Sequence, residues 1–499
     1  MPLWHEVVWP DAAEWIRLPL VILALGGLIG VGELLRKLMH ASPEFSRKFV
    51  HIGVGAALLL GPRLFISPIP MLVLSVVFAA SNAVAIKAGG LRGMHGPSRR
   101  SLGTVYFPIS LFILTVLFWH CSPELVVLAM FSFSMGDAAA AIVGESLKHP
   151  RTYTLSGDAK SLEGSLAMFV FSAASIVFGL WVLAPQMLSS WMFVVVMAAS
   201  SAVLATAWEA LSSRGLDNIA VPLSHGLVLA IFFFPSTVSS IQQFSLGLSL
   251  GLGIAVVAYS VRALSASGAV ATSILATVVF GLGGWKWTMP IVVFFMFSSA
   301  LSFVGRKWKS DLDTVFEKSS TRDHGQVAAN GAIACSLVIL HFAVPGIDWY
   351  PAYVGAVAAV TADTWGTEIG ILFRGRTVSL IGFREVPRGS NGGVSVAGSL
   401  AAEPAAALIG AVGAQWTRDW TMAVVGILAG MAGATADSLL GETLQARFRC
   451  VVCGRETERT VHCETSTEHT GGLLRLRNDG VNWACAAVGV AVAYLISMR

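Results

Sequence analysis

The sequence predicts an all-α membrane protein: a polytopic transmembrane bundle of about sixteen spanning helices in two halves. Three observations predict it. Hydrophobic residues make up 55% of the 499-residue chain and charged residues 12%, with a mean hydropathy of +0.72; a soluble domain carries roughly a quarter charged residues. The apolar runs are continuous rather than alternating, which excludes a β-barrel. In lipid every backbone polar group needs an internal partner, which leaves helices. Most of the 33 lysines and arginines fall in alternate loops, near residues 36–48, 87–100, 148–160, 214, 306–322, 374–388 and 447–477. The positive-inside rule makes that set cytoplasmic and both termini external.

Hydropathy centres the spans near Leu25, Ala56, Val77, Phe112, Val127, Ala173, Val195 and Leu229, then near Ala255, Ile274, Phe295, Ile333, Val360, Leu408, Leu428 and Val488. The segments around Ala56 and Ile274 are short and glycine-containing, which suits a re-entrant segment as well as a span. The start, MPLWHEVVWPDAAEWIRLPL, has acids and no basic n-region, so it reads as neither a cleaved signal nor a transit peptide. The polar stretch FPSTVSSIQQFS (234–245) is the best boundary, giving domains 1–240 and 241–499. A net charge of +4 implies no nucleic-acid partner.

Acidic and glycine-rich motifs interrupt this apolar background. A carboxylate at a bilayer edge is costly, and a cation or polar substrate explains it most readily. In SRKFVHIG, Arg47, Lys48 and His51 open a span, as a positive-inside anchor or as a phosphate clamp. Asp137 lies in MGDAAAAIVGE, whose small residues let helices approach closely; alone it would suit a buried ion pair equally. In GDAKSLEGS, Gly157, Lys160, Ser161 and Gly164 offer backbone N–H groups, an ammonium and a hydroxyl at a helix start, donors that bind phosphate. The order is not that of a Walker P-loop. Glu209, then GLDN with Asp217 and Asn218, add carboxylates and an amide. Separated carboxylates beside a phosphate nest suit Mg²⁺–nucleotide chemistry.

ELLRK, SRKFVHIGVG, GTVYFP, MGDAAAAIVGE, KSLEGSLA and E-x₂-SSRGLDNIAVPL, in this order over residues 15–235, resemble the phytol kinase branch of the polyprenol and dolichol kinase family. The resemblance implies phosphorylation of a long isoprenoid alcohol, usually with CTP. It implies roles for Arg47, Lys48, His51, Asp137, Lys160, Ser161, Glu163, Gly164, Glu209, Asp217 and Asn218. Glu145 and Lys148 depart from the family, which often has a basic or glycine-rich turn there.

In the second half, Gln326 and Asn330 share a helix face and with Arg322 would line a polar seam. Asp363 and Glu368 are about 1.4 turns apart, so Asp363 and Asp437, from two TAD motifs, are the better pair to share a cation; interhelical polar contact is the alternative. VPRGSNGG, with Arg388, Asn391 and Gly392, reads as an anion nest. The patterns LSxSGAxA, GGWxW, RDxxQVxANG, ADTWxxExG, VPxGxxGGVSxxG, ADSLLGxTLQ and NDxVN, over residues 250–497, resemble the phytyl-phosphate kinase-like family of membrane proteins. That resemblance implies addition of a second phosphate to an isoprenyl monophosphate. It carries roles to Arg322, Asp323, Gln326, Asn330, Asp363, Glu368, Asn391, Gly392, Asp437, Asn478 and Asp479; Glu442 departs from the family's usual alanine.

Short echoes link parts of the chain: TAD at 361 and 435, GSLA at 164 and 398, GLDN and NDGVN. Chance in small-residue helices explains them as well as common descent does. In the loop near 446–477, Cys450, Cys453, His462 and Cys463 offer four ligands for a structural Zn²⁺, although the usual second spaced pair is absent. A reducing cytosol favours metal or free thiols there over disulfides.

These readings predict a bifunctional isoprenoid-salvage kinase. The first half converts phytol or a related prenol to the monophosphate, and the second half converts that to the diphosphate. The donor is CTP or another nucleoside triphosphate. Mg²⁺ is held by Asp137 and Asp217 in one half and by Asp363, Glu368, Asp437 and Asp479 in the other. Asp137 or His51 orients the attacking hydroxyl. The expected location is a bacterial inner membrane, with both sites facing the cytoplasm. The rivals are a CTP-dependent lipid-phosphate cytidylyltransferase and a transporter.

Overall fold

The computed structural model describes residues 8–88, 102–234, 238–305, 321–373 and 375–498. Most of the basic loops expected at 87–100 and 306–322 lies outside the described residues, as does part of the boundary stretch at 234–245. By internal contacts the chain divides into two compact units, Pro2–Ser245 and Leu246–Arg499.

The N-terminal unit comprises α1 (Ala12–Leu38), α2 (Pro43–Leu58), α3 (Gly61–Leu64), α4 (Pro68–Lys87), α5 (Gly103–Phe118) and α6 (Pro123–Ser146). An antiparallel hairpin follows, β1 (Thr152–Thr154) and β2 (Ala159–Ser161), then α7 (Leu162–Leu183), α8 (Trp191–Leu211) and α9 (Asp217–Phe233). Helix starts carry local signals. Asp11 and Glu14 form a capping box on α1, and Ser122 caps α6 with Pro123 in its first turn. α6 is apolar on every side from Leu125 to Met130 and is fully enclosed there, as expected of a helix at the centre of a bundle. It packs on α2, α7 and α9.

α10 (Val238–Ser260) leads into the C-terminal unit, with α11 (Ala266–Gly305), α12 (His324–Ala343) and α13 (Tyr350–Leu372). α11 departs from helical geometry at Gly284 (φ 62°). The chain doubles back there: Phe295 packs on the cluster containing Ala269. A second hairpin, β3 (Thr377–Ser379) and β4 (Gly393–Ser395), precedes α14 (Val396–Thr417) and α15 (Thr421–Thr443). Five short strands fill the next loop: β5 (Arg447–Arg449), β6 (Glu456–Thr457), β7 (Val461–His462), β8 (Thr465–Ser466) and β9 (Glu468–Gly471). α16 (Asn478–Ser497) follows. α13 is the central helix, buried from Tyr350 to Ala362 and ringed by α14, α15 and α16.

The helical membrane class holds, and no described strand exceeds four residues. A helix covers each expected centre, but the count of sixteen does not carry over as sixteen spans. Eleven described helices are long and apolar enough to cross a membrane; Gly103–Phe118 and Asp217–Phe233 are apolar but shorter. The difference comes from α2, which is short and carries Glu44, Arg47 and Lys48, from α13, whose last turns are polar, and from α11, which joins two expected spans.

Candidate active sites

In the N-terminal unit, α6 and the hairpin–α7 junction define a cavity of about 430 Å³ with the ends of α8 and α9. Arg47, Asp137, Lys160, Ser161, Gly164, Glu209, Asp217 and Asn218 line it. Lys160 Nζ lies 2.6 Å from Glu209 Oε1, while Glu209 Oε2 is buried without a hydrogen-bond partner among the described residues. Burial works against the Lys160 ammonium, but Glu209, Asp217 and Asp137 outweigh it and hold its pKa above the usual lysine value. Ser161 caps α7 by accepting from the N–H of Gly164 at 3.1 Å. Asn218 donates to Asp217 at 3.0 Å.

The remaining expected residues stand back from the cavity wall. His51 Nε2 is 3.7 Å from Asp137 Oδ2, and its ring packs against Phe107 and Phe133 with centroids 5.1 Å apart. Lys48 pairs with Glu145 at 2.5 Å. Glu163 accepts from the backbone N–H of Arg151 at 3.0 Å, tying α7 to its hairpin. Asp158 and Arg214 also line the cavity without an assigned task from the sequence, and the N–H of Arg214 donates to Asp158 at 2.9 Å. Arg214 has φ 54° and sits inside the SSRGLDN motif, which was the available signal.

In the C-terminal unit a cavity of about 440 Å³ is lined by Arg322, Gln326, Asn330, Asp363, Glu368, Arg388, Asn391, Gly392, Asp437 and Asn478. Asp363 on α13 and Asp437 on α15 lie within hydrogen-bonding reach of each other, and Asp437 Oδ2 is buried without a hydrogen-bond partner among the described residues. Two carboxylates in contact repel unless a proton or a cation sits between them. Glu368 also faces the cavity and accepts from Ser302 at 2.9 Å. Arg322 lies over the rings of Phe294 and Phe295, 5.5 and 5.7 Å from their centroids. Burial lowers its pKa to about 10, so it stays cationic at neutral pH. No described carboxylate forms a salt bridge with it.

The VPRGSNGG loop is fixed in place. Arg388 Nη1 donates to the carbonyl of Ile371 at 3.1 Å. Gly392 has φ 73°, and a Cβ there would lie 2.7 Å from the backbone nitrogen of Glu442, so this turn requires glycine. Glu442 accepts from the Ser379 hydroxyl and holds the hairpin. Asp323 and Gln326 form a capping box on α12, which gives Asp323 a structural task. Asp479 stands off the cavity wall. Ser302, Gln445 and Glu458 also line the cavity without an assigned task; Gln445 closes the ADSLLGxTLQ motif, whereas Ser302 and Glu458 come from segments remote from the motifs.

The two sites are built from the same parts in the same order. An aspartate lies nine residues before the end of a central helix, Asp137 on α6 and Asp363 on α13. A hairpin follows, then a helix capped by a serine that accepts from a glycine N–H at 3.1 Å, Ser161–Gly164 and Ser395–Gly398. Three residues after each aspartate a carbonyl backs that glycine: a Cβ would lie 3.0 Å from Ala140 O at Gly164 and 2.6 Å from Gly366 O at Gly398. Seven residues after each aspartate a glycine packs on the capping serine: an added Cβ would lie 2.9 Å from Ser161 Oγ at Gly144 and 2.8 Å from Ser395 Oγ at Gly370. The next helix supplies an acid, Glu209 or Asp437, and the last begins with Asp217–Asn218 or Asn478–Asp479.

The family described as integral membrane protein DUF92 matches residues 249–490. Protein PGR of Arabidopsis thaliana is 28% identical over 256 residues, 46% of this chain and 88% of that protein. Phytol kinase of Synechocystis sp. is 31% identical over 222 residues, 43% of this chain and 90% of the kinase. An uncharacterized membrane protein of Methanocaldococcus jannaschii is 30% identical over 189 residues, 37% of this chain and 76% of that protein. Each of these three matches covers less than half of this chain. No solved structure matches it.

Proposed function

This chain belongs to the membrane-protein family of the Synechocystis phytol kinase, and its residues 249–490 match the DUF92 family; on that premise we propose that it is a bifunctional prenol kinase. The N-terminal unit phosphorylates phytol or a related isoprenoid alcohol. The C-terminal unit phosphorylates the resulting monophosphate to the diphosphate. The donor is a nucleoside triphosphate, with CTP the first choice. The observation that carries this reading is the repeated arrangement of central-helix aspartate, serine-capped helix, second acid and polar helix start, once in each unit.

In each step an oxygen of the acceptor attacks the terminal phosphorus of the nucleotide, and the bridging P–O bond breaks to release the nucleoside diphosphate. In the N-terminal unit the hydroxyl proton leaves toward Asp137, which lines the cavity. His51, behind it and 3.7 Å away, acts as a positioning residue. Lys160 and Arg47 offset the negative charge of the transferring group, and the capped start of α7 presents N–H donors to it. In the C-terminal unit Arg322, Arg388 and the start of α14 have that task, and the acceptor is already ionised. The donor sets fit divalent ions: Asp137 and Asp217 beside the unpartnered oxygen of Glu209, and Asp363 and Asp437 with Glu368. Magnesium held there would offset nucleotide phosphate charge and order its terminal group. The acceptor tail lies among apolar helices; in this reading both sites face the cytoplasm of a bacterial inner membrane, and the alternation of basic loops in the sequence supports it.

Purified protein is incubated with labelled phytol, Mg²⁺ and each nucleotide in turn, and the lipid products are identified by mass spectrometry. Phytyl monophosphate followed by diphosphate is the expected result. A lipid product retaining the nucleotide would make the chain a cytidylyltransferase. Uptake into vesicles without nucleotide turnover would make it a transporter.

A further inference from the structure

The segment between α15 and α16 has little to hold it together. Its strands are two to four residues long, and its enclosed apolar side chains are few, chiefly Ala446 and Phe448. A segment of that size needs a staple to keep one conformation.

Four ligand atoms converge within it. Cys450-Val-Val-Cys453-Gly454 forms a tight knuckle between β5 and β6. Gly454 N–H donates to Cys450 O at 2.9 Å with φ 70°, and the N–H groups of Cys453 and Val452 point at the Cys450 sulfur. Opposite it, β7 and β8 are joined by Cys463 and Glu464, at φ 50° and 59°. A two-residue turn of this hand normally takes Asn-Gly. Two non-glycine residues held there are strained and persist only where the surroundings impose them. This turn brings Cys463 Sγ to 3.2 Å and Cys453 Sγ to 3.6 Å from His462 Nδ1. The four ligand atoms lie within 4.8 Å of one another, and all the cysteines are free thiols. Zinc at about 2.3 Å from sulfur and 2.0 Å from nitrogen sets tetrahedral ligand separations of about 3.5–3.8 Å.

We propose that Cys450, Cys453, His462 and Cys463 bind one structural zinc ion, and that this ion fixes the segment that carries Glu458 to the C-terminal cavity. Glu458 lies between the two ligand pairs, lines the cavity and accepts from Gln445 Nε2 at 2.8 Å. The proposal stands whatever reaction the cavity supports.

The test uses the full-length protein, purified in detergent without added metal or chelator. Elemental analysis is expected to give one zinc per chain, lost in Cys450→Ser and in Cys463→Ser. Exchange of the wild-type protein into cobalt(II) is expected to give the sulfur-to-cobalt charge-transfer and tetrahedral visible bands of a three-sulfur, one-nitrogen set. This readout does not depend on whether the variants fold. Trypsin cleavage at Arg455 and Arg459 should accelerate on chelation and slow again when zinc returns. Intact protein whose six thiols all titrate and which contains no zinc would overturn the proposal. A disulfide within the cluster, or an octahedral cobalt spectrum, would do the same.

Discussion

Arg322 is a half-buried cation with two aromatic rings beneath it and no described carboxylate beside it. Such a charge is costly unless an anion completes it, and a substrate phosphate would. Arg322→Gln is therefore expected to slow conversion of supplied prenyl monophosphate by about 10²–10³-fold while alcohol phosphorylation continues, read by separating the two lipid products. Lys160 is the counterpart case, because its partner is present. Lys160→Met leaves Glu209 buried without its cation, and breaking a buried pair costs about 3–5 kcal/mol. The sign with pH follows from the raised Lys160 pKa. The stabilisation is complete below the ordinary lysine value, about 10.4, and is lost only as pH rises through the higher folded value. Thermal unfolding in detergent should show a constant gap between wild type and variant from neutral pH to about 10, narrowing above it. Both residues were legible in the sequence because they sit in ordered motifs. Glu458 and Ser302 were not, since their place at the cavity depends on how remote segments pack. Asp479 was read as a ligand from its motif, yet its position on the first turn of α16 leaves it off the wall.

The working element in each unit is a hairpin followed by a serine-capped helix. The helix was legible in the recurring GSLA, but its cap was not: Ser161 was read as a phosphate donor, and Ser395 had no assigned task. The hairpins were not, because three-residue strands are too short for alternation to register against apolar helices. The element fixes how closely two helices approach. A Cβ on Gly398 would meet the carbonyl of Gly366 at 2.6 Å, backbone against backbone, with no flexible side chain to yield. Gly398→Val is expected to part α13 from α14, lower the unfolding temperature and remove the second phosphorylation, while the first continues. Ser395→Ala removes only the cap, about 1 kcal/mol, so it should lower stability slightly and retain most of the activity. Equal damage from both substitutions would assign the loss to the cap rather than to helix spacing.

Two halves were legible from hydropathy and from the two sets of motifs, but the sequence echoes did not by themselves relate one half to the other. The repeated TAD links α13 to α15 inside one unit, where Asp363 and Asp437 meet. The counterpart of Asp363 is Asp137, identified by the glycines three and seven residues along each helix face rather than by matching letters. If each unit is a complete site, loss of one leaves the other working. Asp137→Asn should fail on the free alcohol yet convert supplied monophosphate, and Asp363→Asn should accumulate the monophosphate. Reconstituted together in the same vesicles, the two variants should again make diphosphate from alcohol, because a lipid intermediate diffuses between chains in the bilayer. At low protein density the mixture should lag behind wild type, in which the second site is tethered to the first at high effective concentration, and the lag should shorten as density rises. A folded Asp137→Asn chain that cannot use supplied monophosphate would show that the two units form one site rather than two.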